Sequence, residues 1–181
     1  MRIKVSNYIA KKLLEAGITD VFMITGGGAC IWMMPGTPGR AELYFQSPRA
    51  GLCHGGRGLC ESARQDCRRL CDHGAGGINA MTGVAGGYLD SIPMFIVSGQ
   101  VRYDTMSRST GLHLRAMGDQ EFDITRSVAN MTKYTEMIID PMRIRFCMEK
   151  ALYLAYAGRP GPVWLDVPLN VQAAEVETDD W

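Results

Sequence analysis

Residues 74–100 read Gly-Ala-Gly-Gly-Ile-Asn-Ala-Met-Thr-Gly-Val-Ala-Gly-Gly-Tyr-Leu-Asp-Ser-Ile-Pro-Met-Phe-Ile-Val-Ser-Gly-Gln, and no other stretch narrows the choice of fold as far. The pattern predicts a glycine turn, a helix over 79–89, a break at Ser91-Ile92-Pro93, a buried strand over 94–97 and a second glycine turn. The helix carries Ala80, Gly83, Ala85, Gly86 and Gly87. Each Gly gives up roughly 1 kcal/mol of helix propensity against Ala. Such a sequence is tolerable where a helix lies very close to another backbone or to a flat ligand. The strand has no polar residue, as expected when both faces are covered. Helices on both faces of a mainly parallel sheet, an α/β fold, follow as the expectation. In open sheets of this kind the ligand sits beyond the carboxyl ends of the strands.

The flanking sequence fits the same class. Val5, Tyr8, Ile9, Leu13 and Ala16 form one stripe of a helix over 5–16, with Gly17 as its stop. A short buried strand is expected over 20–24, then a glycine turn at 25–28. Gly26-x-Gly28 is a weak dinucleotide signal, because no third glycine follows at the required spacing. After Gln100, residues 101–105 and 108–111 read as a polar loop, 118–124 open a helix, and 131–134 form a short strand. Asp140-Pro141 is a strong helix start, an Asp cap followed by Pro in the first turn. The helix that follows buries Ile144, Met148, Ala151, Leu152 and Ala155 and stops at Gly158, and a last buried strand ends at Pro168. Asp90 and Glu121 read as structural acids, a helix-end cap and a first-turn carboxylate.

The 19 basic and 19 acidic residues balance, which argues against nucleic acid or an anionic membrane surface as partner. No apolar run approaches the ~20 residues that span a bilayer, and the start lacks a signal-peptide core. A cytoplasmic location is expected. At 181 residues one domain is expected, over 1–175, with 176–181 as the start of a linker.

Between 29 and 73 the character changes. Lysine and valine vanish, arginine accumulates at 40, 49, 57, 64, 68 and 69, and no helical or strand period persists. Cys53, His54, Cys60, Cys67, Cys71 and His73 are all ligand types, but no Cys-x-x-Cys pair exists and the spacing matches no common zinc knuckle. A long pattern-free segment inside a compact domain counts against any simple assignment.

Three pieces in order, Gly74-x-Gly-Gly-x-Asn79, then Tyr88-Leu-Asp-Ser-Ile-Pro-Met94, then Ser98-Gly-Gln-Val101, resemble the pyrimidine-binding domain of thiamin-diphosphate-dependent enzymes, and among them the acetolactate-synthase-like group. The resemblance covers 1–29 and 74–175. It implies decarboxylation of a 2-keto acid, usually with carboligation to a second carbonyl compound, as in branched-chain amino acid biosynthesis. It further implies a homodimer or homotetramer with thiamin diphosphate between this domain and a partner's diphosphate domain. Mg²⁺ would be held by that other domain, through a Gly-Asp-Gly…Asn motif not found here, and some relatives also bind FAD. Gly26 and Gly27 match the family's first glycine turn. Gly74, Ala75, Gly76 and Asn79 match its pyrimidine-packing loop, with Ala75 in place of Pro. Gln120 matches a glutamine near the reaction centre, and Lys133 a lysine at the substrate entrance.

The family's catalytic Glu, in a His-Glu-Gln motif, would fall at Arg49 and Ala50, so no catalytic residue carries over. The middle of the chain is expected to be read out of frame. Trp32-Met33-Met34 fixes TGG-ATG-ATG, and starting one base early turns 29–35 into Ala-Met-His-Leu-Asp-Asp-Ala, the family's sequence. A further slip lets 42–47 read Leu-Asn/Ser-Tyr-Ile-Phe-Asn and 48–64 contain His-Glu-Gln. Residues 67–74 then read Ala-Ala-Val-Cys-Val-Thr-Thr-Gly, and the frame returns near Gly74-Ala75. Such a chain is expected to be inactive by itself, with residues 30–73 aberrant. The competing reading is a non-catalytic metal-binding or interaction protein displaying a Cys/Arg-rich insertion. Metal analysis of the purified protein separates the two: stoichiometric zinc under the competing reading, none under the first.

Overall fold

The computed structural model describes residues 1–18, 20–23, 42–45, 67–71 and 75–179. Six parallel strands form the main sheet: β2 (Asp20–Met23), β3 (Glu42–Phe45), β4 (Cys67–Cys71), β5 (Met94–Gln100), β6 (Tyr134–Met137) and β7 (Val163–Pro168). Their spatial order is β3-β2-β4-β5-β7-β6. The chain goes outward from β2 to β3 and then returns past β2 to β4, so a topological switch point lies between β2 and β4. A separate antiparallel ribbon pairs β1 (Arg2–Lys4) with β8 (Glu175–Glu177).

Helices α1 (Val5–Glu15), α2 (Ala75–Leu89), α3 (Ile124–Val128), α4 (Ile144–Tyr156) and α5 (Leu169–Ala173) accompany the sheet. Alternation along β5 and β7 divides the core in two. Phe95, Val97, Val163, Leu165 and Val167 face one way and pack with Val5, Ile9 and Leu13 of α1 and Ile144, Met148 and Ala151 of α4. Met94, Ile96 and Trp164 face the other way, against Ala80 and Val84 of α2 and Ile124 and Val128 of α3. The expected α/β layering, with helices on both faces, is what forms.

Several expected boundaries move. The first glycines of the 74–100 stretch are helix, not turn: α2 begins at Ala75, and Gly76 and Gly77 are buried in its first turn. The first four N–H groups of a helix have no intrahelical partner in any case, so glycine is tolerated there more readily than its mid-helix propensity suggests. At Gly87 the close neighbour is a side chain, not the backbone or flat ligand expected: a Cβ there would come within 2.1 Å of Met94 Sδ. β5 runs on through Ser98, Gly99 and Gln100, which pair with Asp166, Val167 and Pro168 instead of turning. The strand expected over 131–134 starts at Tyr134, in register with Val163, while Ala129–Met131 wind into a 3₁₀ turn. Val176 and Glu177, read as the beginning of a linker, belong to a strand that pairs with Arg2–Lys4, too short to register in the sequence pattern.

The segment read as lacking strand periodicity supplies β3 and β4, and β4 holds a central place between β2 and β5. A backbone ladder needs only N–H and C=O groups, which every non-proline residue has. The Asp140 cap behaves as read: its carboxylate accepts from Met142 N at 2.9 Å, Pro141–Arg143 form a 3₁₀ turn, and α4 follows. Gly158 takes φ +64° just past the helix end.

Gly87→Val places two methyl groups where Met94 already sits. Overpacking of about 1–3 kcal/mol is expected, read as a lower urea midpoint with an unchanged denaturant slope.

Candidate functional site

In a parallel sheet every strand ends on the same edge, and here that edge gathers the site. Cys71, Ser98, Asp166 and Met137 lie in one register row across β4, β5, β7 and β6. α2 starts just beyond β4, and the segment 101–123 leaves β5 from the same edge.

Beneath this edge lies a buried polar network that the sequence reading did not find. Asp166 is fully buried, as are Gln100 and Trp164, and Ser98 nearly so. Ser98 Oγ donates to Asp166 Oδ1 at 2.5 Å, and Trp164 Nε1 donates to Ser98 Oγ at 2.8 Å. Gln100 Nε2 donates both to Asp166 Oδ2, at 3.1 Å, and to the Phe122 carbonyl, at 2.8 Å. Gln100 Oε1 accepts from Val101 N at 3.0 Å. A carboxylate in an otherwise apolar strand is costly unless its oxygens are hydrogen-bonded, and the two side chains opposite on β5 supply those donors. A lone acid in Val-Trp-Leu-Asp-Val is the only trace of this in the sequence.

Segment 101–123 is fastened a second time by Glu121. Its carboxylate accepts from Ser107 N, Met117 N and Gly118 N at 2.8–3.0 Å, and from Ser107 Oγ at 2.6 Å. Partial burial pushes the Glu121 pKa up, but the Ser107 hydroxyl and the Met117, Ser107 and Gly118 amides outweigh it and hold it at about 2. Glu121 is therefore structural, as read, but as the clasp of a loop. It is not a first-turn acid, since α3 starts only at Ile124. Gln120 beside it is exposed and held at φ +59°, a left-handed conformation unusual for a residue with a side chain.

The sequence-derived site residues divide. Ala75 and Gly76 open α2 at the carboxyl edge, and Asn79 is exposed on its next turn. Gln120 belongs to the loop on that edge. Lys133 does not join them: it precedes β6 at the amino edge, where its backbone N donates to Pro162 O at 2.7 Å. Between the rows of Pro162 and Pro168 lie roughly 20 Å of strand. The Lys133 ammonium donates to Ala157 O at the end of α4, a helix-capping role. Gly26, Gly27, Arg49, Ala50 and Gly74 lie outside the described residues, as do Cys53, His54, Cys60 and His73. Cys147 is fully buried, and burial pushes its thiol pKa up, which makes it a core residue and not a nucleophile.

Because the Glu121 pKa lies below its unfolded value, its stabilising contribution is complete above the ordinary carboxylate range, near 4.5, and is lost as pH falls through about 2. The amides of Ser107, Met117 and Gly118 are expected to stay protected from hydrogen exchange at pH 3. Glu121→Ala is expected to speed their exchange about fivefold, equivalent to a net hydrogen-bond contribution of about 1 kcal/mol, while β5 and β7 amides keep their rates.

No protein-family model matches the chain. Among curated proteins it is similar to the acetolactate synthase large subunit of Lactococcus lactis, 34% identical over 177 residues, which cover 94% of this chain and 28% of that protein. It is likewise similar to the acetolactate synthase large subunit of Corynebacterium glutamicum, 33% identical over 172 residues, 93% of this chain and 26% of that one. Among solved structures it superposes on benzoylformate decarboxylase from Polynucleobacter necessarius with a TM-score of 0.82, covering 97% of this chain and 32% of that one at 19% identity. That likeness establishes the fold. The chain thus spans under a third of the length of the proteins it matches.

Proposed function

We propose that this chain, a homologue of the acetolactate synthase large subunits, forms the pyrimidine-binding part of a thiamin-diphosphate-dependent enzyme acting on 2-keto acids. The observation that carries the reading is the start of α2: two buried glycines and, one turn on, an exposed Asn79, set at the carboxyl edge beside the switch point between β2 and β4. Gly76 and Gly77 pack the helix start closely against the protein, which leaves the exposed Ile78 and Asn79 as the surface a flat ring would meet. The Asn79 amide can donate and accept at the rim. These residues fit a flat heteroaromatic ring. Asp166, through Gln100, fastens the segment 101–123 at the same edge. Gly26, Gly27, Gly74 and Ala75 complete the same surface in this reading, and Gln120 stands at its substrate side.

Thiamin diphosphate, when bound, supplies the carbanion chemistry on which 2-keto acid decarboxylation depends. The diphosphate group and Mg²⁺ would be held in the part of the relatives' length that this chain does not span, on a second subunit, so that a homodimer or homotetramer is the working form. What this chain does not offer is a carboxylate for the pyrimidine nitrogen. Arg49 and Ala50 stand where that acid is expected, and a guanidinium cannot accept a hydrogen bond. A frame slip between codons 29 and 75 accounts for the loss. In support, β4 falls on 67–71, whose shifted reading, Ala-Ala-Val-Cys-Val, is the uncharged sequence a central strand calls for, in contrast to Cys-Arg-Arg-Leu-Cys.

The test is acetolactate formation from pyruvate with thiamin diphosphate and Mg²⁺. The 181-residue chain is expected to give none. A chimera in which 30–73 and everything beyond 175 come from the Lactococcus lactis relative is expected to turn over. A folded chimera without turnover removes the reading.

A further inference from the structure

Segment 101–123, besides capping the carboxyl edge, encloses with the start of α3 a cleft of about 500 Å³. That is within the size of small-molecule sites, roughly 300–1,000 Å³. Its walls bear three guanidiniums, Arg108, Arg115 and Arg126, and two carboxylates, Glu121 and Asp123. Both carboxylates stay ionised, so the walls carry one positive charge in excess, and neither carboxylate is hydrogen-bonded or ion-paired to Arg115. Glu121 is taken up by the Ser107, Met117 and Gly118 amides and the Ser107 hydroxyl. Asp123 is shared, 3.5 Å from Arg108 Nη1 and 3.2 Å from Arg126 Nε, and also accepts from Thr125 Oγ1. Arg115 is exposed and makes no ion pair or hydrogen bond among the described residues.

A solvated cationic surface would ordinarily explain such arginines. Two features of this cleft go beyond it. The excess positive charge is concave, and low-dielectric walls focus its field. The same cleft also exposes Leu112 and Leu114, 65% and 46% accessible, beside those charges. Large apolar side chains in water next to an unpaired guanidinium suit a ligand with an anionic head and an apolar flank.

We propose that this cleft binds a small organic anion, its carboxylate or phosphate group held by Arg115 with Arg108 and Arg126, and a short hydrocarbon part lying on Leu112 and Leu114. The cleft shares no lining residue with the α2 start, and the proposal stands whether or not the thiamin reading holds. Planar guanidinium suits both head groups, because its forked donors meet two oxygens at once.

The test titrates the full chain with hexanoate, acetate and inorganic phosphate by calorimetry or amide chemical shifts. Hexanoate is expected to bind at least tenfold more tightly than acetate, since its added methylenes leave water. Phosphate binding tighter than acetate would assign the head group to phosphate, and the reverse order to carboxylate. Arg115→Ala is expected to weaken the better head group about tenfold, Arg115→Lys to recover part of it, and Leu112→Ser to narrow the gap between hexanoate and acetate. Lys11→Ala, which removes a charge on α1 away from the cleft, is expected to change nothing. Saturable binding that survives Arg115→Ala, equal weakening by Lys11→Ala, or no binding of any of the three anions overturns the proposal.

Discussion

The pairing of β5 with β7 is the constraint on which the rest of the molecule hangs. Six register positions join them, from Phe95↔Val163 to Gln100↔Pro168, and every residue of both strands is buried. Alternate side chains from this one pair build both halves of the core. At the carboxyl end the pattern switches from apolar to polar, and Ser98, Gln100 and Asp166 meet across the ladder. A slip of one residue would carry Asp166 to the opposite face, among Phe95 and Val97, with neither donor in reach. The polar rungs therefore fix a register that hydrophobic pairing alone would leave open to alternatives.

The same rungs connect the core to the functional edge. Gln100 reads the position of Asp166 with one N–H and the Phe122 carbonyl with the other. The 101–123 segment is thus tied to the sheet at its far end, while Glu121 ties it to itself. With both fastenings in place the loop can keep Gln120 in a left-handed conformation, which costs of order 1–3 kcal/mol and persists only where the surroundings over-determine it.

What the sequence could reveal followed from period and punctuation. The stripe of α1, the Asp140-Pro141 start, the all-apolar run of β5 and the α/β class are local signals, each readable within a dozen residues. What it concealed depends on partners distant in the chain. Ser98 and Gln100 look like the end of a strand until Asp166, over 60 residues on, is placed opposite them. Gly76 and Gly77 look like a turn until the helix start is seen to be buried. Lys133 reads as a site residue by its motif, and parallel topology puts it at the amino edge, beside the Ala157 carbonyl just past α4. β1 and β8 are three residues each, too short to show a period, and exist because the two ends of the described chain meet.

The middle of the chain shows how far topology can act ahead of side chains. β4 is flanked by β2 and β5, so its place in the order is set by strands on either side and by the length of connection available to reach it. Backbone hydrogen bonds can fill that place with almost any residues, but they contribute little net stability compared with apolar burial. Cys-Arg-Arg-Leu-Cys meets the first requirement, while its sequence departs from the continuous apolar run usual for central parallel strands. The conflict between a sound topology and an unsuitable sequence is confined to one segment, with consistent sequence on both sides of it. Gradual drift would scatter such conflicts along the whole chain, whereas the change of composition here has two borders, near 29 and near 73, which is what the proposed frame slip requires.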